Sequence, residues 1–297
     1  MQQRSSSKSS IAGFCAGSVH ILLFPLEKIK LHMIVSDGRN KNFIPFYKNS
    51  IEVFKTIHNE GLRSLYRGCH FQLSISIAWA VYFYIYETMK KFQPASFRTN
   101  NPELYKFTVA AESAFISNFI INPLMVMKTR AILLRNSETW FKDTIEAGIK
   151  TWKVDGIRGF WRGYLIGNIL SLNGALTMYL YEFFKENLHT ESDFWRTSMA
   201  GGLSKLGAST IFFPVTLIKI RLQQEQYTET ILKKSKEIGK FNKAYMVYEG
   251  LKHCIGEVWK TQGLLGFYRG LGITLIKIVP TQAIFFVIYE ATYKMLT

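Results

Sequence analysis

Apolar residues gather in six long runs, separated by shorter stretches rich in lysine, arginine and polar side chains. Runs 71–86 and 164–181 carry no formal charge, and run 271–289 carries only Lys277. The other three each hold one ionisable residue: His20 in 11–26, Glu112 in 107–127 and Lys205 in 199–218. About 20 mostly apolar residues are needed to cross a bilayer as a helix, so the pattern predicts an all-α membrane protein with six transmembrane helices. The even helices are the clearer candidates. The odd ones should turn one polar stripe toward a wet interior, because a charged group in hydrocarbon is costly. Between each odd and even run lies an amphipathic stretch, such as 47–58 or 144–153, suited to a short helix along the membrane surface.

The punctuation of these runs repeats three times. Each copy has a proline followed five residues on by a lysine: Pro25 with Lys30, Pro123 with Lys128, Pro214 with Lys219. A glycine and an aromatic-Arg-Gly triplet follow: Gly61 and Tyr66-Arg67-Gly68, Gly156 and Trp161-Arg162-Gly163, Gly263 and Tyr268-Arg269-Gly270. Each copy closes on Tyr86-Glu87, Tyr181-Glu182 or Tyr289-Glu290. A period near one hundred residues exceeds the solenoid range of about 20–50 and implies three copies of a two-helix module closing on themselves. The prolines should kink the odd helices, because each removes a backbone donor and crowds the preceding turn. Gly13 with Gly17 and Ala12 with Ala16 suit close helix contact. The third copy is longer between proline and glycine, and the Lys- and Gln-rich segment 223–245 reads as a loop insertion.

Composition agrees. Of 297 residues, 48% are hydrophobic and 15% aromatic, yet the formal charge is +16. The basic residues avoid the apolar runs instead of forming one arm or face. That argues against nucleic-acid binding and for basic loops meeting anionic lipid or solutes. Cys15, Cys69 and Cys254 lack metal-ligand spacing and read as buried small residues. The Ser-rich, basic first ten residues lack the apolar core of a secretory signal, so targeting information is expected inside the chain. The sequence also lacks a Gly-rich phosphate loop, a metal cluster and a nucleophile placed with a base, so no enzyme and no cofactor is implied.

The triple motif, Pro-x-acid-x-x-base, then acid-Gly with an aromatic-base-Gly triplet, then aromatic-acid-x-x-base, resembles that of the mitochondrial carrier family along roughly residues 8–296. The resemblance implies repeats at 8–95, 104–190 and 194–297 forming one six-helix barrel around a central cavity. Charge networks would close it alternately toward matrix and cytosol. At the matrix gate the resemblance implies Glu27, Lys30, Lys128 and Lys219, with Glu27 pairing with Lys128. Met125 and Thr216 stand where the second and third acids belong; Thr216 could at most hydrogen-bond Lys30, and Lys219 would have no acid. At the cytosolic gate it implies Glu87, Lys90, Glu182, Lys185 and Glu290, pairing Glu87 with Lys185 and Glu290 with Lys90, with Tyr293 or Lys294 left for Glu182. Fewer bonds at the matrix side would make opening there easier.

Within the family, Asn122-Pro123-Leu124-Met125-Val126-Met127-Lys128-Thr129-Arg130 is similar to a motif of carriers for large nucleotide-like cofactors. Run 77–83, Gly174-Ala175-Leu176 and Thr216 resemble the FAD and folate branch. Mid-helix Lys205 and Lys277 are functional candidates by default, and two ammonium groups suit a pyrophosphate. Lys277 falls where the family places a solute contact; Ser74, Ile169 and Asn173 stand at or near the matching places. Trp79 could stack a flavin, pteridine or purine ring or simply pack against helices or lipid. Glu112 could serve solute or proton coupling, or neutralise Lys205. His20 reads as a packing residue. Tyr66, Trp161 and Tyr268 should mark surface-helix N-termini or turns, where the family binds cardiolipin.

These readings converge on a monomeric carrier of the mitochondrial inner membrane that moves FAD, or a folate-like or other flavin cofactor, by alternating access. NAD, CoA or pyrimidine nucleotides, and a peroxisomal home, are the alternatives within transport. A carrier-fold scaffold or receptor is the alternative outside it.

Overall fold

The structure, a computed structural model, describes residues 23–38, 44–66, 68–93, 102–133, 140–188, 193–224, 248, 250–278 and 280–281. All regular structure among these residues is helical. In chain order the helices are α1 Phe24–Val35, α2 Ser50–Asn59, α3 Leu62–Leu65, α4 Gln72–Phe92, α5 Pro102–Leu133, α6 Trp140–Asp155, α7 Tyr164–Asn187, α8 Asp193–Ile211, α9 Phe213–Gln223 and α10 Leu251–Gly266. Residues 271–278 are also helical. Run 11–26 with His20, Cys15 and the glycine and alanine pairs lies almost wholly outside the described residues, as do Glu290, Tyr293, Lys294 and most of segment 223–245.

Where the sequence marks the even runs as cleanest, the structure gives that property to an odd one. Thr108–Leu133 within α5 is long and apolar enough to cross a membrane, and Arg196–Ile211 with Phe213–Gln223 meets the same test jointly, bent by 60°. Helices α4 and α7, of 21 and 24 residues, are long enough at about 1.5 Å per residue. Their tyrosines, serines and asparagines, uncharged but polar, leave them less apolar than α5.

The prolines act differently in the copies. Pro214 sits in the first turn of α9, directly after the break at Phe212, where its missing N–H costs no intrahelical bond. Pro25 likewise opens α1. Pro123 instead lies inside α5, which runs on through it. Beside it the buried Asn122 reaches across, its Nδ2 donating to the carbonyls of Phe160 at 2.7 Å and Arg162 at 3.3 Å.

The surface helices form where amphipathicity predicts, two of them with wider or shifted bounds. At α2, Asn49 accepts from the Glu52 N–H at 2.9 Å while Glu52 accepts from the Lys48 N–H at 2.6 Å, a reciprocal cap of the orphan N-terminal donors. The aromatic-Arg-Gly triplets lie after these helices, at the entrance to the even ones. Gly163 has φ of 75° and caps α7. Gly68 has φ of 87°, and a Cβ there would come within 2.8 Å of Ile132 Cγ1. Both the left-handed conformation and the close approach therefore demand glycine.

The main core forms where the post-proline segments meet. Helices α1, α9 and the end of α5 pack on one another. They bury Phe24, Ile29, Ile34, Ile132, Leu133, Phe213 and Leu217 together with Val53 and Ile57 of α2 and Val258 of α10. This convergence brings the three motif lysines to one end of the molecule.

Candidate solute site and gates

At the proline-motif end the structure assembles a cationic cluster around one carboxylate. Glu27, in the first turn of α1, lies 2.6 Å from Lys277 Nζ and 4.0 Å from Lys30 Nζ. Lys128 is close enough to feel its charge. The expected Glu27–Lys128 pair is thus replaced. Lys277 reaches Glu27 from the neighbouring helical segment and takes the shortest contact, and it is no unpaired mid-helix lysine. No Thr216–Lys30 hydrogen bond is made among the described residues; the Thr216 hydroxyl donates to the Phe212 carbonyl of its own helix at 3.1 Å. Lys219 lies against α7, its Nζ over Gly167, where a Cβ would come within 3.2 Å. It makes no ion pair among the described residues.

Lys205, half-buried on α8, feels the charge of Lys30 and likewise has no acid partner among the described residues. Glu112 is not that partner. It is exposed and accepts from Gln93 Nε2 at 2.9 Å. Asn173 is engaged between helices, its Nδ2 donating to the Ala208 carbonyl at 3.0 Å, so its amide donor faces α8. Ile169 is exposed. Ser74 and Trp79 lie on α4, but their side chains fall outside the described residues. Trp161 donates from Nε1 to the Phe119 carbonyl at 3.1 Å, and Tyr268 stacks with Phe213. Tyr66 is exposed. Of the two places expected, the turns hold: all three stand in the turns that follow those helices, and none at a surface-helix N-terminus.

At the Tyr-Glu end the described pairs stay within their own helices. Lys90 Nζ meets Glu87 Oε1 at 2.7 Å and lies 4.4 Å from the Tyr86 ring centroid. Lys185 lies over the Tyr181 ring at 5.6 Å, and Glu182 is exposed. The expected Glu87–Lys185 pair is absent among the described residues; Glu87 instead takes the lysine one turn along α4.

Sequence reasoning missed two buried polar clusters beyond the lysines. In the second copy, Asp155 lies 2.6 Å from Arg130 Nη2 and 3.7 Å from Arg162 Nη2, its own side chain 1% exposed. Arg130 also donates to Thr151 Oγ1 at 2.9 Å and to the Gln223 carbonyl at 3.2 Å. In the third copy, Arg221 donates to Gln262 Oε1 at 2.9 Å and to the Ile34 carbonyl at 2.8 Å. Tyr248 OH donates to Asp37 Oδ2 at 2.8 Å, and Gln262 Nε2 donates to the Asp37 carbonyl at 3.1 Å. Arg269 donates to the carbonyls of Met33 and Tyr47. Burial and the neighbouring Arg221 pull Arg269 below its ordinary pKa, against the opposing pull of Asp37.

These arginines cap C-terminal carbonyls of α1 and α9 that have no helical partner, and in doing so tie one copy to the next. The signal was present: His32, Arg130 and Arg221 stand two residues after each motif lysine, and Glu60, Asp155 and Gln262 precede each glycine. The proline-motif end is therefore held by more polar bonds than its single motif acid suggests.

The sequence pattern described as Mitochondrial carrier protein matches residues 2–96, 100–192 and 190–297. The chain belongs to the mitochondrial carrier family. As a family member it is a membrane transporter; family members typically reside in the mitochondrial inner membrane. It is 31% identical to Mitochondrial substrate carrier family protein M of Dictyostelium discoideum over 80% of this chain and 78% of that one. It is 28% identical to Folate transporter 1, chloroplastic, of Arabidopsis thaliana over 99% and 96%. It is 27% identical to Mitochondrial nicotinamide adenine dinucleotide transporter 1 of Saccharomyces cerevisiae over 97% and 76%.

Proposed function

We infer that this carrier moves FAD, or a folate-like cofactor, across the mitochondrial inner membrane by alternating access. Its three repeats, 8–95, 104–190 and 194–297, close as one monomeric six-helix barrel. The observation that supports the solute class is the cationic cluster: Lys277, Lys30 and Lys128 surround one carboxylate, Glu27, while Lys205 adjoins Lys30 and Lys219 adjoins Lys128. A buried excess of cations is costly unless an anion joins it, and a pyrophosphate supplies two adjacent charges. The near full-length similarity to a protein named as a folate transporter supports the cofactor branch.

In this reading Glu27, Lys30, Lys128 and Lys219 form the matrix gate, joined by Lys277. Glu87, Lys90, Glu182, Lys185 and Glu290 form the cytosolic gate. In this reading the Glu27–Lys277 contact belongs to the state closed toward the matrix. Lys205 and Lys277 are the candidates for the phosphates, and Ser74, Trp79 and Asn173 for the ring system. The triplet turns, at the N-termini of the even helices, are the places for cardiolipin.

Uptake into liposomes containing the purified carrier tests the assignment, with interiors loaded in turn with FAD, folate, NAD, CoA and pyrimidine nucleotides. FAD uptake is expected. Uptake of NAD or CoA without FAD overturns it. NAD is the second reading, favoured by the similarity to a protein named as a dinucleotide transporter. FAD and NAD would each bring a pyrophosphate to the same lysines, and a folate-like cofactor would bring carboxylates.

A further inference from the structure

Pro123 stands inside α5, and the N–H it lacks is the one that would reach the Phe119 carbonyl four residues earlier. In a membrane span that carbonyl has no water to turn to, so a missing donor is costly. The structure supplies a donor from outside the helix. Trp161 Nε1 donates to the Phe119 carbonyl at 3.1 Å, and the two rings lie 5.2 Å apart between centroids. The clasp is reciprocal, because Asn122 Nδ2 donates back to the carbonyls of Phe160 and Arg162, on either side of Trp161. Tyr164 closes over the same stretch of α5, its hydroxyl donating to the Phe115 carbonyl at 3.2 Å.

The third repeat is built differently at this joint. Phe213 stands where Asn122 does, and Tyr268 where Trp161 does. Those two rings stack, 6.5 Å between centroids, and there the helix breaks, with α8 and α9 bent by 60°. The lysines five residues past the two prolines also differ. Lys128, on unbroken α5, feels the charge of Glu27. Lys219, past the break, lies over Gly167 of α7.

We propose that Trp161 is a positioning residue for the matrix gate: its indole N–H stands in for the backbone donor that Pro123 lacks, and keeps α5 continuous so that Lys128 stays within the Glu27 cluster. Asn122 aims the indole by fixing the backbone on both sides of it. The second repeat then carries its gate lysine on a stiff strut, and bending is left to the break at Phe212 in the third. None of this depends on which solute is carried.

Two substitutions in the full-length carrier in detergent test the assignment. Trp161→Phe keeps a ring and loses the N–H, while Pro123→Ala restores the missing backbone N–H. Spin labels at exposed positions 111 on α5 and 146 on α6, in a chain whose cysteines are replaced, report the bend, since Ala147 of α6 packs with Ala131 beyond Pro123. Trp161→Phe should lower the unfolding midpoint by about 2–4 °C and shift and broaden the distance between the labels. Adding Pro123→Ala should abolish both effects. A packing or lipid-binding role of the ring would not show this rescue, because neither depends on a donor at residue 123. Should the Phe variant fail to fold, Trp161→Tyr reads the same loss with the residue type of the third repeat. Equal damage with proline or alanine at position 123, or an unchanged label distance when the indole is removed, overturns the proposal.

Discussion

Removing the charge of Asp155 should be among the most damaging single changes in the second repeat. Its side chain is 1% exposed and lies between two guanidinium groups, Arg130 at 2.6 Å and Arg162 at 3.7 Å. Asp155→Asn keeps the shape and leaves both cations facing a neutral amide in a site where Arg130 is only 6% exposed. Deleting one partner of a buried ion pair costs about 3–5 kcal/mol, because the remaining charge is uncompensated. The lower end applies here, since Arg130 keeps Thr151 and the Gln223 carbonyl and Arg162 keeps the Tyr248 carbonyl. At about 2 °C per kcal/mol for a chain of this size, the midpoint should fall by about 6 °C. The assay is thermal unfolding in detergent with a thiol-reactive dye, which reports exposure of the buried Cys254. The third repeat supplies the natural comparison. Gln262 stands at the matching position and suffices there, because Arg221 alone uses it, while Arg269 turns to the Met33 and Tyr47 carbonyls. Glu60→Gln, at the exposed matching position of the first repeat, should shift the midpoint by less than about 1 °C, as surface substitutions do. A fall below about 2 °C for Asp155→Asn would refute the reasoning.

Three further substitutions test neighbouring parts. Gly68→Ala should destabilise by about 1–3 kcal/mol, read as a midpoint shift, since its Cβ would meet Ile132 at 2.8 Å in a left-handed conformation; Gly156→Ala, with φ of 63° but open space around it, should show only the smaller backbone cost. Asn122→Leu should cost about 1–3 kcal/mol, because the Phe160 and Arg162 carbonyls lose their donor; the same dye assay would contradict this with an unchanged midpoint. Thr216→Glu restores an acid where the family motif has one, within a cluster rich in lysine. It should raise the unfolding midpoint and slow transport by holding the matrix gate shut, and faster transport in liposomes would argue against that gate.

The helices, their threefold punctuation and the aromatic-Arg-Gly turns were legible in the sequence, because they depend on contacts within a few residues. A proline removes its own donor, a glycine permits its own left-handed φ, and amphipathicity repeats along one helix. Even the excess of lysine over acid at the proline motifs could be counted before any fold was known. Which lysine each acid takes was not legible. Lys277 claims Glu27 across 250 residues of chain, displacing the Lys128 that register alone would choose. Asp37 and Tyr248 join Arg221 and Gln262 through hydrogen bonds from segments outside the repeated motif. Local periodicity determines what a segment becomes. Ion pairs and hydrogen bonds fall off steeply with distance, so their partners are decided only when the tertiary packing brings remote side chains within a few ångström.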